Sequence, residues 1–536
     1  MRAVYTSHAR PLRIGGHRMK IRLRGFSFAM LLAAFALAPS RVVAQQSCES
    51  LTSLKIPNAT VTSATSVNPP PDLVIPLPAG PIGPASNLTI SVPFCRVAAV
   101  SAPTSDSHIR FEVWLPVAAR WNGKFESVGN GGFIGQISYG ALAAQLNRGY
   151  ATASTDTGHT GVDESWALGH PEQLVDWSYR AVHEMTVDSK IMIQAFYGKP
   201  ARLAYWNGCS TGGKQGLTEA QRYPTDYDGI VAGAPANYIT HLQAGGVYTS
   251  WVRLKDGPNA PEYIPGAKMA VLHKAALDQC DARDGVLDGV IADPRRCHFD
   301  PKIIQCSGAE GPSCLTVAQV KTAQEIYAGA KYNDGKQIFP GYEPGSELLW
   351  DSPFSTPVNN TIGVGFFRFM VFDNPNWDFT TFDADRDTRT ADQKLGSVVN
   401  AIDPNLKAFQ QHGGKLIMYH GWADQAIQPE NSTNYYESVV AAMGGQQQTQ
   451  QFFRLFMAPG MTHCQGGAGP SVFDAVTSLE QWRENGIAPD RIIATHSTSG
   501  AIDNTRPLCP YPQAAIYKGS GNTTDAANFV CGNPTW

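Results

Sequence analysis

Charge is scarce in this sequence. Asp, Glu, Lys and Arg together make up 16% of 536 residues, and the formal net charge is -3. No basic run occurs outside the N-terminus, which argues against nucleic acid or an anionic membrane surface as a partner. There is no CxxC motif, so neither a zinc ribbon nor a thioredoxin-like site is supported. No stretch beyond the N-terminal apolar run is long enough to cross a bilayer. Tandem repeats are missing, and the only biased tract is a short Gln-rich patch at Gln446–Gln451. Gly (51) and Pro (37) are plentiful, and the length suffices for one large core or two smaller ones.

The N-terminus reads as an export signal. Lys20, Arg22 and Arg24 form a positive region, Phe26 to Ala38 an apolar one, and Val42-Val43-Ala44 supplies small residues before a cut at Gln45. Residues 1–44 are therefore expected to be a signal peptide. Residues 1–18 are polar and add nothing a signal needs, which points to Met19 as the start. The apolar run is short for an anchor, so the mature protein is expected to be secreted or periplasmic. All ten Cys lie beyond the cut, and an even count in an exported chain implies five bridges. Sequence alone does not fix their connectivity. Their distribution suggests local pairs Cys280–Cys297, Cys306–Cys314 and Cys509–Cys531, with Cys48–Cys95 tying down the N-terminus and Cys209–Cys464 left as a long-range bridge.

Along the chain, Cys48 to about Val100 is rich in Ser, Thr, Pro and Val and is expected to be extended. Strands are then predicted at Ile109–Leu115, Phe125–Val128 and Gly149–Thr155, with a Gly-rich loop Gly129–Phe133 after the second. Glu172–Phe196 has helical spacing with breaks, and Gly229–Ala234 is a short apolar strand. Alternation of this kind predicts an α/β fold with a mainly parallel sheet covered on both faces. The pattern lapses after Asn237 and resumes with strands at Lys415–Tyr419 and Phe452–Met457. Residues 238–408 are accordingly read as an inserted lid domain, irregular and aromatic, with short helices near Ala267–Leu277 and Thr316–Tyr327. Residues 45–237 and 409–536 form the surrounding catalytic domain.

Tyr205-Trp206-Asn207-Gly208-Cys209-Ser210-Thr211-Gly212-Gly213 reads as a strand running into a Gly-flanked turn with Ser210 at its apex. This G-x-S-x-G pattern is a nucleophile elbow, in which small residues on either side let strand and helix approach closely. Cys209 precedes the Ser, and Cys464 follows His463. If the two are bonded, their Cα atoms lie roughly 5.5 Å apart, and one more residue on each side adds at most about 3.8 Å. Ser210 and His463 would then be neighbours. A serine hydrolase also needs a carboxylate to orient its base. Asp424 lies just past the predicted strand Lys415–Tyr419, and the order Ser210, Asp424, His463 fits the α/β-hydrolase arrangement. His420 is a rival base, and His159 reads as a loop residue supporting the site. An oxyanion needs backbone N–H donors. Thr211, after the nucleophile, should give one and Gly132 the other, with Gly131 next in line.

Asp281, Asp284 and Asp288 crowd three carboxylates into a short, Gly-containing run between Cys280 and Cys297. Such a run suits a hard ion such as Ca²⁺ in a structural role, although its spacing is not that of an EF-hand. Phe366, Phe367, Phe369, Phe372 and Trp377 make an aromatic cluster, mostly lid core, with Arg368 available for a carboxylate.

Together these residues resemble the tannase/feruloyl esterase family of secreted α/β-hydrolases. The likeness covers nearly the whole mature chain and includes the elbow Gly208–Gly213, His420-Gly421-Trp422-Ala423-Asp424, Gly460-Met461-Thr462-His463-Cys464 and the run Asp281–Val290. The resemblance implies a disulfide between the elbow Cys and the Cys after the His. It also implies calcium held by Asp281, Asp284, Asp288 and the carbonyls of Val286 and Val290. The implied activity is carboxylic ester hydrolysis of a small aromatic ester, free or carried on plant polysaccharide. Feruloyl-type esters come first, galloyl esters second and mono(2-hydroxyethyl) terephthalate third. The terephthalate enzyme has Glu where Thr211 stands, which weighs against that specialisation. A serine peptidase of the same fold and a non-catalytic secreted binding protein are the rival readings.

Overall fold

The computed structural model describes residues 46–77, 85–350 and 362–535. The expected signal peptide lies outside them. The fold is built on a nine-stranded sheet. Its strands, in spatial order, are Ala59–Val67, Phe94–Ser101, Ile109–Pro116, Ala151–Thr155, Lys124–Val128, Leu203–Cys209, Gly229–Gly233, Lys415–Gly421 and Phe453–Ala458. The first four run antiparallel to one another, and from Ala151–Thr155 onward every neighbouring pair is parallel. The sheet is thus mixed, with the predicted extended N-terminal segment supplying its antiparallel edge.

The parallel strands are apolar on both faces because both are covered. Successive side chains of a strand point to opposite sides, and here they enter two different cores. Trp206, Ile230, Leu416 and Leu455 pack with Met185, Met192 and Leu217 on one face. Tyr205, Val231, Ile417 and Phe456 pack with Leu479 and Trp482 on the other. Helix Ala181–Tyr197 follows a short helix Pro171–Val175 and a π-type turn Asp176–Arg180, which accounts for the broken helical spacing there.

The chain leaves the sheet at Gly233 and returns at Lys415, and the two strands pair in parallel. The intervening segment is more regular than its sequence suggests. Besides helices Gly266–Cys280 and Val317–Ala328 it holds two helices of 16 residues each, Ile239–Leu254 and Ala384–Val399. The first is interrupted in sequence by Gly245-Gly246 and buries residues all round. The second is capped by Asp383, whose side chain accepts from the Arg386 N–H. These helices and Phe366 and Phe367 share a core with Phe133, Leu174, Trp177 and Ile427 of the sheet-bearing part. The segment therefore sits directly on Phe133, the last residue of the Gly-rich loop. Two C-terminal antiparallel pairs, Ile492–Thr498 with Ala501–Leu508 and Ala514–Tyr517 with Phe529–Gly532, complete the fold.

Candidate active site

Strand Leu203–Cys209 ends one residue before helix Thr211–Arg222, and Ser210 makes the whole turn. Its φ is 63° and its ψ -124°, a conformation a side chain rarely adopts and one that stores strain. The turn is held by hydrogen bonds from the Ser210 N–H to the Gly233 carbonyl (2.9 Å) and from the Ala236 N–H to the Ser210 carbonyl (3.1 Å). Close approach explains the flanking glycines. A Cβ on Gly208 would lie 2.6 Å from the Gly212 carbonyl carbon, and one on Gly129 would lie 2.5 Å from the Gly212 Cα.

The second contact brings the Gly-rich loop against the elbow. The Gly212 N–H donates to the Asn130 carbonyl at 2.8 Å, and the Asn130 and Gln215 side chains reinforce the join. Asn130 also donates to the carbonyls of Gln136 and Thr155. Thr211 Oγ1 donates to the Gly132 carbonyl at 2.9 Å, coupling the two residues expected to supply the oxyanion N–H groups. Among the described residues, none accepts from the backbone N–H of Thr211 or of Gly132. His159 lies beneath this loop, stacked on Trp166 and bonded through Nε2 to the Phe133 carbonyl at 2.7 Å. Burial pulls its pKa down to about 4, so it is a neutral prop.

Asp424 follows strand Lys415–Gly421 and His463 follows strand Phe453–Ala458, so adjacent strands deliver both to one end of the sheet. Asp424 Oδ2 lies 2.8 Å from His463 Nδ1 and 3.1 Å from His420 Nε2. Its Oδ1 accepts from the N–H groups of Ala426 and Ile427. Burial alone would raise the Asp424 pKa. The His463 charge and the hydrogen bonds of His420 and His463 prevail and hold it well below the usual carboxylate range. For His463, burial lowers the pKa, but the Asp424 charge and hydrogen bond outweigh it and raise the value. The His463 N–H is further fixed by the Gln425 side chain.

His420 is fully buried. Its Nε2 faces two acceptors, Asp424 and the Ile427 carbonyl, and must carry the proton; Nδ1 then accepts from Ser432. All ten cysteines are paired, as Cys48–Cys95, Cys209–Cys464, Cys280–Cys297, Cys306–Cys314 and Cys509–Cys531. The Cys209 and Cys464 Cα atoms are 5.9 Å apart, which ties the elbow to the loop of His463.

A family model described as tannase and feruloyl esterase matches residues 95–532. The chain belongs to the tannase and feruloyl esterase family. The esterase is 38% identical over 574 residues to a protein of Xanthomonas campestris described as an uncharacterized esterase, covering 97% of this chain and 96% of that one. It is 35% identical over 462 residues to a probable feruloyl esterase B of Aspergillus oryzae, covering 82% and 87%. The crystal structure of feruloyl esterase B from Aspergillus oryzae matches with a TM-score of 0.85 at 31% identity, covering 90% and 99%. A tannin acyl hydrolase from Aspergillus niger matches with a TM-score of 0.74 at 23% identity, covering 89% and 92%, a likeness of fold alone. This esterase is thus a carboxylic ester hydrolase with an α/β-hydrolase fold.

The esterase's acidic run lies at the end of helix Gly266–Cys280 and is closed by Cys280–Cys297. Asp281 is buried and accepts from the N–H groups of Asp288 and Gly289; Asp284 accepts from Val286, and Asp288 from Val290 and Arg506. Burial raises the Asp281 pKa and pushes that of Asp284 up to about 6. Among the described residues no donor reaches the carbonyls of Val286 and Val290. Raised carboxylates beside unpaired carbonyls fit an oxygen-seeking cation. One Asp288 oxygen accepts from Arg506 at 2.8 Å instead of facing the other two carboxylates alone. In the aromatic cluster, Phe366 and Phe367 are fully buried, and Arg368 gives its Nε to the Trp377 carbonyl.

Proposed function

We propose that this esterase is a secreted enzyme that cleaves hydroxycinnamoyl, feruloyl-type esters through Ser210, His463 and Asp424. Ser210 Oγ attacks the ester carbonyl while His463 Nε2 takes its proton, and Asp424 keeps the other ring nitrogen protonated and in place. The N–H groups of Thr211 and Gly132 receive the oxyanion. Collapse releases the alcohol, protonated by His463, and leaves the acyl group on Ser210. Water activated by the same imidazole then frees the aromatic acid. The observation that carries the reading is the bond between Asp424 and His463 on a loop clamped to the elbow by Cys209–Cys464. The identity of 31–35% to proteins called feruloyl esterase B, against 23% to a tannin acyl hydrolase, supports feruloyl over galloyl esters. The apolar N-terminal run and the five disulfides support export. Calcium would be held by Asp281, Asp284, Asp288 and the carbonyls of Val286 and Val290, where it would neutralise the crowded carboxylates and fix the loop.

The test is acid release from methyl ferulate and methyl gallate in parallel, by wild type and Ser210→Ala. Faster turnover of the ferulate ester, lost in the variant, is expected. Faster turnover of the gallate ester would make the enzyme a tannase. Absence of both turnover and a fluorophosphonate adduct in folded, disulfide-bonded protein would sink the catalytic reading in favour of a binding protein.

A further inference from the structure

A second cluster of ligand-type side chains lies at the other end of the helix that Ser210 begins. Glu219 comes from that helix, His183 from the neighbouring helix Ala181–Tyr197, and Asp226 from the turn that follows Arg222. One ligand atom of each lies within 4.8 Å of those of the other two, and among the described residues no other three such side chains converge so closely.

Acidic neighbours alone would mean little, but Glu219 is 1% exposed, no N–H or hydroxyl donor reaches its carboxylate oxygens, and its side chain lies in hydrogen-bonding contact with the Asp226 carboxylate, a contact that needs a shared proton or a cation between the two. A buried carboxylate left without a donor is costly, and native structures supply a partner. The local cations do not do so. Lys190 Nζ donates to the Asp226 main-chain carbonyl at 2.5 Å and lies 3.9 Å from Asp226 Oδ1. His183 Nδ1 faces Asp226 Oδ2 at 2.6 Å. Its ring is stacked on Tyr223 with centroids 3.8 Å apart, which fixes its orientation.

We propose that His183, Glu219 and Asp226 form a zinc-class divalent cation site that ties the end of the elbow helix to helix Ala181–Tyr197. One imidazole and two carboxylates suit zinc, with bonds of about 2.0–2.2 Å, whereas calcium takes six to eight oxygens. The ion takes the place of the proton between His183 Nδ1 and Asp226 and of the one that Glu219 and Asp226 would otherwise share. The His183 side chain is 29% exposed, which leaves an entry path and room for a water as fourth ligand. The site lies away from Asp424 and His463 and is independent of which ester is cleaved.

The test uses the full mature chain, stripped with a chelator, dialysed and supplied with saturating calcium before zinc is titrated. Wild type is expected to take up one equivalent of zinc by elemental analysis. Its Tm should rise by about 2–3 °C at zinc a hundredfold above Kd. Glu219→Gln keeps the shape without the charge and should lose both the equivalent and the shift, as should His183→Asn. Zinc uptake by neither protein would overturn the site and leave a shared proton as the partner of Glu219. Uptake retained in Glu219→Gln would overturn it equally. Should the variants fail to fold, anomalous scattering at the zinc edge from wild-type crystals decides: a peak between the three side chains upholds the site, and its absence there rejects it.

Discussion

Asp424 Oδ2 serves two imidazoles at once, His463 Nδ1 at 2.8 Å and His420 Nε2 at 3.1 Å. The two histidines are unequal. His463 lies on the loop tied to the elbow, while His420 is sealed between Asp424, Ile427 and Ser432. His463→Ala should therefore lower kcat/KM by at least about 10⁴-fold, the scale of losing a triad base. His420→Ala should cost about tenfold in activity. It should also cost about 1–3 kcal/mol of stability, because Asp424 and Ser432 each lose a buried partner. Steady-state kinetics and denaturant unfolding of both variants measure this. An inactive His420 variant beside an active His463 variant would reverse the assignment.

The same pair sets the pH dependence. In the proposed mechanism His463 works as neutral imidazole, and Asp424 raises its pKa against the lowering effect of burial. Activity should fall as pH drops through that raised value, placing the acid limb of kcat/KM above about pH 6.5. Asp424→Asn removes the raising charge and should move the limb below about pH 6.5, besides lowering the rate. Stability follows the opposite sign for each partner. The His463 contribution is full below its unfolded pKa and is lost as pH rises through the folded one. The Asp424 contribution is present above about pH 3.9 and is lost as pH falls through its depressed folded value. The pair therefore contributes most between about pH 4 and 6.5, which a pH series of wild-type and Asp424→Asn unfolding would show.

Much of this was legible because parallel strands write their burial into sequence. Gly229–Gly233 and Lys415–Gly421 are apolar on both faces, and Ser210, Asp424 and His463 lie in the loops just past the parallel strands Leu203–Cys209, Lys415–Gly421 and Phe453–Ala458. Cys209 and Cys464 stood out by adjoining a Ser and a His. Helix Ile239–Leu254 was illegible because its buried surface leaves no polar stripe to set a period, and Gly245-Gly246 reads as a break. Helix Ala384–Val399 did carry a signal, the Asp383 cap, but its charged surface resembles a loop. The supporting roles of Asn130 and Gln215 depend on contacts between residues far apart in the chain, which no local pattern encodes.

Thr211 offers a separable test of the oxyanion site. Its hydroxyl donates to the Gly132 carbonyl at 2.9 Å, so it fixes the loop that carries the second N–H. Thr211→Val keeps the shape and removes the bond. Losing about 1 kcal/mol of positioning corresponds to roughly a fivefold fall in kcat with KM nearly unchanged. Thr211→Ser should restore most of it. A rise in KM at constant kcat would instead place the hydroxyl in ground-state binding.

The acidic loop reaches the stretch of His463 through packing. Val290 ends the run Asp281–Val290, and its side chain fits so tightly against Gly460 that a Cβ there would lie 2.9 Å from Val290 Cγ2. Gly460 begins the stretch that carries His463. Calcium that fixes the loop would therefore also steady His463, the proposed base. Chelation is expected to lower the Tm by a few degrees, about 2–3 °C for an ion held a hundredfold above its Kd. It should lower kcat more than it raises KM, and added calcium should reverse both effects. Asp284→Asn should weaken calcium binding and reduce the Tm response in proportion. A Tm indifferent to chelator and calcium in wild type would remove the ion from the loop and leave Arg506 and the backbone N–H groups as its only partners.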